Sequence, residues 1–353
     1  MKVSVITCTY NGAWCLERTL RALAEQTLPK SEWELVFVDN ASTDGSGELA
    51  TRLIAELGIR GAVLHEPQPG KTFALQTAFR AAQGEFFCTV DDDNLLASDY
   101  LANAAECLAA NPGFGLIGGK VLPVMEDPEA SLEDACHWTR AMLAVRDFGE
   151  DVIAGNAPIG AGMAGRTAVM RGVYESIGTH LPDRIGDGPG CCEDHEKSQT
   201  FRRLGWEVAY VPCLSLDHVI PAKRLDPEYI WSIACSAQWA KPWLSVLANP
   251  AAHRSRARHL VSASALAACA ARYRLAELVG WRGAIQGKSA NCWRRFYESR
   301  AAGYVALARR FRDVSGHLER IEIAKKSLSP DSFAASPRTE SSHSSASRAE
   351  VCR

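Results

Sequence analysis

Three consecutive carboxylates, Asp91, Asp92 and Asp93, come directly after the apolar run EFFCTV at residues 85–90. Adjacent negative charges repel one another, so the fold must either leave them in solvent or supply a positive partner. Ligands of parallel sheets bind at the carboxyl ends of the strands, where this triplet falls. Oxygen ligands suit Mg²⁺ or Mn²⁺, and Mg²⁺ is commonly shared between carboxylates and substrate phosphates. The triplet therefore predicts either a metal–diphosphate site or a solvated acidic turn.

Two familiar ion and phosphate motifs do not fit this part of the chain. An EF-hand loop beginning at the triplet would need an oxygen ligand at its fifth position and glycine at its sixth, where Leu95 and Leu96 stand. The segment PGKT at residues 69–72 resembles the end of a Walker loop, but His65 occupies the position of the first glycine. Lys71 is left as a single cation that either contacts a phosphate or lies in solvent.

Glu193 and Asp194 form a second acidic pair, at the start of a helix predicted over residues 193–204. A helix N-terminus stabilises a carboxylate through its dipole, so one acid there needs no catalytic explanation. Two acids after a Gly-rich loop also suit general base catalysis, in which a carboxylate takes the proton of an attacking hydroxyl. The residues alone leave both explanations open.

The elements that must position these acids alternate along the first two thirds of the chain. The predicted strands are short runs rich in Val, Ile and Phe, at residues 2–8, 33–39, 61–66, 85–90 and 206–212. Helical periodicity between them predicts an α/β fold with a mostly parallel sheet. We therefore divide the chain into an α/β domain at 1–227, a basic helical region at 228–326 and a disordered Ser-rich tail at 327–353.

Charge is unevenly distributed along the sequence. Residues 1–250 carry 20 Lys and Arg against 33 Asp and Glu, whereas residues 251–312 carry 13 Lys and Arg against Glu277 and Glu298. Aromatic residues lie among these arginines and no nucleic-acid motif accompanies them, which favours an anionic membrane surface as partner and excludes nucleic acid. The alternative is that the basic segment pairs with the protein's own acidic body.

The location of the protein follows from its first residues and its cysteines. The opening apolar run VSVIT is far shorter than the region of about 7–15 apolar residues of a secretory signal. The 12 cysteines are scattered and include no C-x-x-C pair, which is typical of reduced thiols. We expect a cytoplasmic protein, with attachment to the inner face of the membrane left open.

Several motifs in order resemble a family 2 glycosyltransferase, over about residues 2–235. They are VSVITCTYNGAWCLERTLRAL, LVFVDNASTDGSG, the segment ending in VDDDN, PIGAGMAGRTAVM, CEDHEKSQTFRRLGWEVAYVP and LDHVIPAKRL. The resemblance implies a GT-A fold, in which a Rossmann-like mixed sheet is flanked by helices, with residues 1–227 as the catalytic domain. It also implies an inverting transferase of the hexosyltransferase class, with a nucleotide-sugar donor that is usually a UDP-sugar.

The same resemblance implies roles for individual residues. The nucleotide-binding residues would be Thr9, Tyr10, Asp39, Lys71 and Asp91. The ligands of a DXD-type Mn²⁺ or Mg²⁺ site would be Asp91, Asp93 and His218. The sugar and acceptor pocket would contain Gly160, Ala161, Gly162 and Trp138. Asp194 would be the general base, with Glu193 beside it, whereas helix packing remains an equal explanation for Trp138.

These assignments predict transfer of a sugar from a nucleotide diphosphate to a saccharide or polyprenol-linked acceptor, in polysaccharide or glycoconjugate synthesis. The alternative is a non-catalytic nucleotide- or carbohydrate-binding module with the same fold, which would bind nucleotide without forming product. A nucleotidyltransferase is a third possibility, but it should carry a Gly-rich basic signature after its first strand. The segment CTYNGAW lacks that signature.

Overall fold

A computed structural model of the chain describes residues 1–132, 135–181, 191–253, 255–278 and 290–334. Its first part consists of repeated βα units. The elements are β1 (Val3–Thr9), α1 (Ala13–Ala24), β2 (Trp33–Asp39), α2 (Ser46–Glu56), β3 (Gly61–His65), α3 (Lys71–Ala81) and β4 (Phe86–Thr89). The central strands are buried on both faces, which explains their continuous apolar runs.

The middle of the chain completes the sheet and adds four α-helices. Its elements are β5 (Asn94–Leu96), α4 (Tyr100–Ala110), β6 (Phe114–Met125), α5 (His137–Met142), β7 (Ile153–Ala154), β8 (Ala164–Arg166), α6 (Thr167–Gly172), α7 (Glu193–Leu204) and β9 (Glu207–Ile220). The helix α6 continues into a π-helical turn over Val173–Ile177. The helix α7 ends at Gly205, whose φ of +99° is the left-handed conformation that glycine adopts readily.

In the described residues, nine strands form one mixed sheet with the order β3-β2-β1-β4-β8-β6-β9-β5, and β7 pairs with β9. Strands β3, β2, β1 and β4 are parallel, and β8 runs antiparallel to both β4 and β6. The carboxyl ends of β1, β2 and β4 therefore meet at one edge of the sheet. One buried cluster lies beneath α1, α2 and α4, and a second lies beneath α3, α6 and α7.

The C-terminal region consists of α8 (Pro227–Ala248), α9 (Arg256–Leu278), α10 (Ala290–Arg309), α11 (Phe311–Leu328) and α12 (Pro330–Ala334). The helix α8 begins next to the predicted boundary at 227/228, where Asp226 accepts a hydrogen bond from the Glu228 amide at 2.9 Å. Trp243 of α8 and Ile321 of α11 belong to the same buried cluster as the second face of the sheet. The C-terminal helices thus contribute to the core of the α/β domain.

The prediction of a disordered tail from residue 327 is wrong for residues 327–334. The end of α11 and all of α12 fold there, because they cover an aromatic side chain of the α/β domain. The indole Nε1 of Trp206 donates to the carbonyl of Leu328 at 2.6 Å, and the ring of Phe333 packs edge-on against Trp206. Residues 335–353, the rest of the predicted tail, lie outside the described residues.

Candidate active site

A cavity of ≈ 690 Å³ opens at the carboxyl ends of β1, β2 and β4. Its lining includes the three aspartates after β4, the first residue of α3, the loop 159–161 and the start of α7. Residues Ile233 and Ala237 of α8 close the side opposite the sheet. The cavity therefore brings both predicted acidic clusters to one space, in the place where α/β sheets bind ligands.

Protein cations surround the Asp triplet. Asp91 accepts a hydrogen bond from Lys71 Nζ at 2.7 Å, and Asp93 lies 2.9 Å from Arg224 Nη2. Asp92, between them, accepts a short hydrogen bond from the hydroxyl of Thr9. Burial and the neighbouring charge of Asp93 raise the pKa of Asp92 to about 7, so the triplet carries fewer than three full charges near neutral pH.

Asp93 and His218 form a buried pair, with 3.6 Å between Oδ2 and Nε2. The Arg224 guanidinium contacts both, since its Nη1 lies 2.9 Å from Nε2 of His218. Burial alone would raise the pKa of Asp93, but the charge of the Arg224 guanidinium, 2.9 Å away, outweighs burial and lowers that pKa. The guanidinium therefore occupies the cation position beside this pair.

The residues at this corner have the chemistry of a metal site but not a complete set of ligands. Among the described residues, no group of three acidic, histidine or cysteine side chains is arranged to hold an ion. An arginine can only donate, so the Nε2 atom of His218 accepts and its proton lies on Nδ1, which is buried without a partner. A metal bound to Nε2 of His218 would likewise require the proton to lie on Nδ1. The pair thus fits Mn²⁺ or Mg²⁺, provided that Arg224 moves and phosphates complete the coordination.

Four of the five residues predicted to bind nucleotide line the cavity. Thr9, Tyr10, Lys71 and Asp91 line the cavity, and the Tyr10 side chain is 63% exposed. Asp39 is not among the lining residues, and its carboxylate accepts from the amide of Ser42 at 3.1 Å.

The neighbour of Asp39, Asn40, lines the cavity instead. Its side chain accepts from the Gly70 amide at 2.8 Å and donates to two carbonyls of the loop before α3. Asn40 thereby fixes the turn that presents Lys71. The burial of Lys71 would lower its pKa, but the carboxylates of Asp91 and Glu193 outweigh burial and raise it.

Asp194 lies at the start of α7 with both carboxylate oxygens engaged. Oδ2 accepts from the Gly160 amide at 3.2 Å, and Oδ1 accepts from the backbone amide of His195 at 2.7 Å and from its ring Nδ1 at 2.8 Å. Burial would raise the pKa of Asp194, but the adjacent His195 overrides it, so the pKa lies well below the usual range. The same pairing raises the pKa of His195 to about 9.

The loop predicted to form the sugar pocket is held from two sides. The Thr89 hydroxyl donates to the Gly160 carbonyl at 2.8 Å, and Tyr100 Oη donates to the Gly162 carbonyl at 2.6 Å. Gly162 has φ +69°, and a Cβ there would lie 2.5 Å from Tyr100 Oη, so no other residue fits. Gly160 and Ala161 line the cavity. Trp138 does not, because its ring packs 5.3 Å from that of Trp231.

Sequence reasoning did not single out three charged residues that the structure places near the predicted base or the metal corner. Arg224 and His195 line the cavity. Glu196 is buried one turn into α7 and accepts from the amides of residues 180 and 181 and from the Trp243 indole. The sequence signal that was available is the presence of acidic and basic residues in the motif segments, but contacts such as those of Arg224 with Asp93 and of Glu196 with Trp243 join residues far apart in the sequence.

The fold and the motifs agree with known proteins. A mannosyltransferase from Pyrobaculum calidifontis, solved in complex with GDP-Man and Mn²⁺, superposes with a TM-score of 0.51 at 23% identity, over 92% of this chain and 87% of that one. This likeness confirms the predicted GT-A fold. Residues 4–141 match the family described as glycosyl transferase family 2, which confirms the predicted resemblance for this segment.

Curated relatives match over a shorter part of the chain. The poly(ribitol-phosphate) beta-N-acetylglucosaminyltransferase TarS of Staphylococcus aureus is 34% identical over 105 residues, which is 30% of this chain and 18% of that protein. The glycosyltransferase AglE of Haloferax volcanii is 30% identical over 119 residues, 34% of this chain and 39% of that protein. The chain thus spans less than half the length of either relative.

Proposed function

We propose that this chain is a glycosyltransferase that moves a sugar from a nucleotide diphosphate to a hydroxyl acceptor. The observation that carries the proposal is that the Asp91–Asp93 triplet and Asp194 line the same cavity. A diphosphate needs cations, and an attacking hydroxyl needs a base, and this cavity offers both kinds of group. The segment 4–141, with its family 2 motifs, supplies the sheet edge where the donor would lie.

The proposed reaction is a single displacement with inversion. The acceptor oxygen bonds to the anomeric carbon as the bond from that carbon to the diphosphate oxygen breaks, and the diphosphate keeps the electron pair. Lys71, the first residue of α3, would contact the negatively charged diphosphate as it leaves. Asp194, with Glu193 beside it, would take the acceptor's proton, and the 159–161 loop, whose Gly160 amide donates to Asp194, would hold the sugar near it.

A divalent ion, Mn²⁺ or Mg²⁺, would be held by Asp91, Asp93 and His218 together with donor phosphates. When bound, it supplies Lewis-acid stabilisation of the leaving diphosphate. The buried Asp93–His218 pair and Asp91, whose side chain is 31% exposed, support this assignment. Arg224, which contacts the pair, would then turn towards the phosphates, where its charge remains useful.

The donor and the acceptor are proposed from the resemblance and from surface chemistry. We propose a UDP-sugar donor and a saccharide or polyprenol-linked acceptor in polysaccharide synthesis. The outward face of α9 exposes Leu260, Val261 and Leu275. Arginines lie near both ends of α9, at Arg256, Arg258, Arg272 and Arg274. We propose that this face binds an anionic membrane surface. Among the described residues there is no candidate membrane-spanning helix.

The proposal is tested by incubating the purified full chain with Mn²⁺ and a panel of UDP- and GDP-sugars, with release of nucleotide diphosphate as the readout. Asp91→Asn and Asp194→Asn should each lower turnover by at least about 100-fold. Asp99→Ala, at an exposed acid at the start of α4, is the matched control and should leave turnover unchanged. Saturable nucleotide binding without turnover by any donor would favour a binding module and reject the enzyme.

A further inference from the structure

Two adjacent cysteines line the candidate active site. The sulfur atoms of Cys191 and Cys192 lie 3.3 Å apart without a bond between them, and both residues are partly exposed to the cavity. Other thiols of the α/β domain differ from this pair, since burial raises the pKa of Cys15 to about 11 and that of Cys8 to about 12. Thiols of that kind stay protonated and inert. A small reagent that enters the cavity from solvent would instead meet two neighbouring thiols at residues 191 and 192.

The contact between the two sulfur atoms gives each of them a different role. The hydrogen bond with Cys191, followed by burial, raises the pKa of Cys192 well above its ordinary value. Cys192 therefore keeps its proton and donates it to Cys191 Sγ, which leaves Cys191 as the sulfur that attacks first. Once Cys191 Sγ is bonded to another sulfur, this hydrogen bond is lost. Cys192 then gives up its proton more easily and lies within reach to attack in turn.

A disulfide between neighbouring residues requires a change in the backbone. Consecutive Cα atoms are about 3.8 Å apart across a trans peptide, whereas disulfides usually join Cα atoms roughly 4.4–6.8 Å apart. Cys192 already has φ +70°, in the left-handed region that residues other than glycine rarely adopt. Closing a ring across residues 191 and 192 must therefore alter the backbone at this residue. A disulfide formed under such constraint is readily reduced again.

The backbone of Cys192 carries the start of α7. Its carbonyl accepts from the amide of Glu196 at 3.0 Å, which is a hydrogen bond of the first turn of the helix. Asp194, two residues after Cys192, accepts from the Gly160 amide at 3.2 Å. A change in φ of Cys192 moves both the carbonyl and the carboxylate. Oxidation of the cysteine pair therefore displaces Asp194 from the 159–161 loop.

We propose that Cys191 and Cys192 form a redox-sensitive dithiol, which a small disulfide such as glutathione disulfide converts reversibly into a Cys191–Cys192 disulfide. First, ionised Cys191 Sγ bonds to one sulfur of glutathione disulfide, and the other glutathione leaves with the electron pair of the broken S–S bond. Next, Cys192 Sγ gives up its proton and bonds to Cys191 Sγ, and the attached glutathione leaves in the same way. The pair loses two electrons and two protons, which convert one glutathione disulfide into two glutathione thiols.

Mass spectrometry of the purified full chain tests the disulfide. Trypsin releases residues 185–197, IGDGPGCCEDHEK, whose two cysteines are Cys191 and Cys192. After incubation with glutathione disulfide and alkylation of the remaining thiols, this peptide should lack two hydrogen atoms and carry neither glutathione nor an alkyl group. Dithiothreitol should restore both thiols.

The control for this measurement is Cys136, an exposed cysteine that is alone in the tryptic peptide 121–140. It can form a mixed disulfide with glutathione but no internal bond. The proposal would be overturned if the 185–197 peptide were alkylated at both cysteines, or if it carried glutathione without an internal disulfide.

The effect of oxidation on α7 is measured separately. Hydrogen exchange of the Glu196 amide should become faster in the oxidised chain. Turnover, which rests on the proposed function, should fall at least about tenfold on oxidation and recover with dithiothreitol. Cys191→Ser and Cys192→Ser should each abolish both responses to glutathione disulfide, whereas Cys136→Ser should respond as the wild type does.

Two outcomes separate this proposal from the proposed function. Exchange of the Glu196 amide that stays unchanged in the oxidised chain would overturn the link between the cysteine pair and α7. A reduced chain that transfers no sugar from any donor would reject the proposed function. In that case the mass of the 185–197 peptide and the exchange of the Glu196 amide still decide whether the disulfide forms and moves the helix.

Discussion

The guanidinium of Arg224 lies 2.9 Å from a carboxylate oxygen of Asp93, at the buried corner of the acidic cavity. The side chain of Asp93 is 4% exposed and that of Arg224 is 29% exposed. The carboxylate thus depends on a partner that can itself reach solvent. A charge pair of this kind stabilises the chain before any ligand arrives, and it also holds the position that a divalent ion would take.

Replacing Arg224 should expose this dual role. Arg224→Met leaves Asp93 and His218 without their cation, and we expect a loss of about 1–3 kcal/mol in the free energy of unfolding. Mn²⁺ with UDP should raise the Tm of the variant more than that of the wild type, since no guanidinium has to be displaced.

The matched control is Arg21→Met, which breaks an exposed pair with Glu17 and should cost less than about 0.5 kcal/mol. Thermal and urea unfolding with and without the two ligands measure both effects. The prediction would be contradicted if the two variants lost the same free energy of unfolding and if Mn²⁺ with UDP raised the Tm of Arg224→Met and of the wild type equally.

The turn after β1 should tolerate no side chain at Gly12. A Cβ at this position would lie 1.9 Å from an oxygen of Asp92 and 2.3 Å from the hydroxyl of Thr9, so Gly12→Ala must push both residues apart. We expect a loss of about 1–3 kcal/mol in stability and a weaker affinity for UDP, measured by calorimetry. Gly316→Ala in α11, where the nearest atom would be 3.8 Å away, is the control and should be neutral or stabilising. Normal UDP affinity in Gly12→Ala would show that the turn does not shape the nucleotide site.

Glu196 should make the stability depend on pH. Burial raises its pKa from an ordinary value of 4.5 to about 7, although three N–H groups donate to it. The folded state therefore holds the proton more tightly than the unfolded state. The stabilisation from Glu196 is fully present below about pH 4.5 and is lost as the pH rises through about 7.

Comparison of the wild type with Glu196→Gln isolates this contribution from that of other titrating groups. The unfolding free energy of the wild type minus that of Glu196→Gln should be larger at pH 4.5 than at pH 8, by up to about 3 kcal/mol. Urea unfolding across this range gives the difference directly. Glu17→Gln, at an exposed acid, should give a flat difference, and a flat result for Glu196→Gln would refute the prediction.

The exposed face of α9 should bind anionic membranes. Leu260→Glu combined with Val261→Glu places two charges where apolar groups would enter the lipid, and we expect affinity for phosphatidylglycerol vesicles to fall at least about tenfold. Ile323→Glu, an equally exposed apolar position on α11, is the control. Vesicle sedimentation at low and high salt measures the effect, and wild-type binding that is absent or insensitive to salt would count against a membrane partner.

The sequence predicted the local elements well wherever one signal sufficed. The strand at 33–39 and the helix at 193–204 have the predicted bounds, because a continuous apolar run ends in Asp39 and a glycine ends the helix. It missed the full length of β9, since the predicted run stops at Pro212 while pairing with β6 continues to Ile220. It also missed the antiparallel β8, a strand of three residues without apolar alternation.

Within the candidate site, residue types were predictable but partners were not. The sequence identified acids with the composition of a metal cluster, whereas their charge in the folded chain is balanced by Lys71 and Arg224. Such pairing is set by tertiary packing and leaves no periodic signal. His195 was overlooked because a histidine within a helix motif is unremarkable until its exposure and its contact with Asp194 are known.

The contact between Glu196 and Trp243 has a consequence for how this chain could have evolved. The helix that carries Asp194 is anchored by an indole from α8, and that indole in turn packs against His317 of α11. Grafting a foreign C-terminal half onto the family 2 segment would therefore disturb the start of α7, where Asp194 lies, as well as the outer surface. We expect acceptor preference to change through substitutions within these helices rather than through exchange of whole C-terminal segments by recombination.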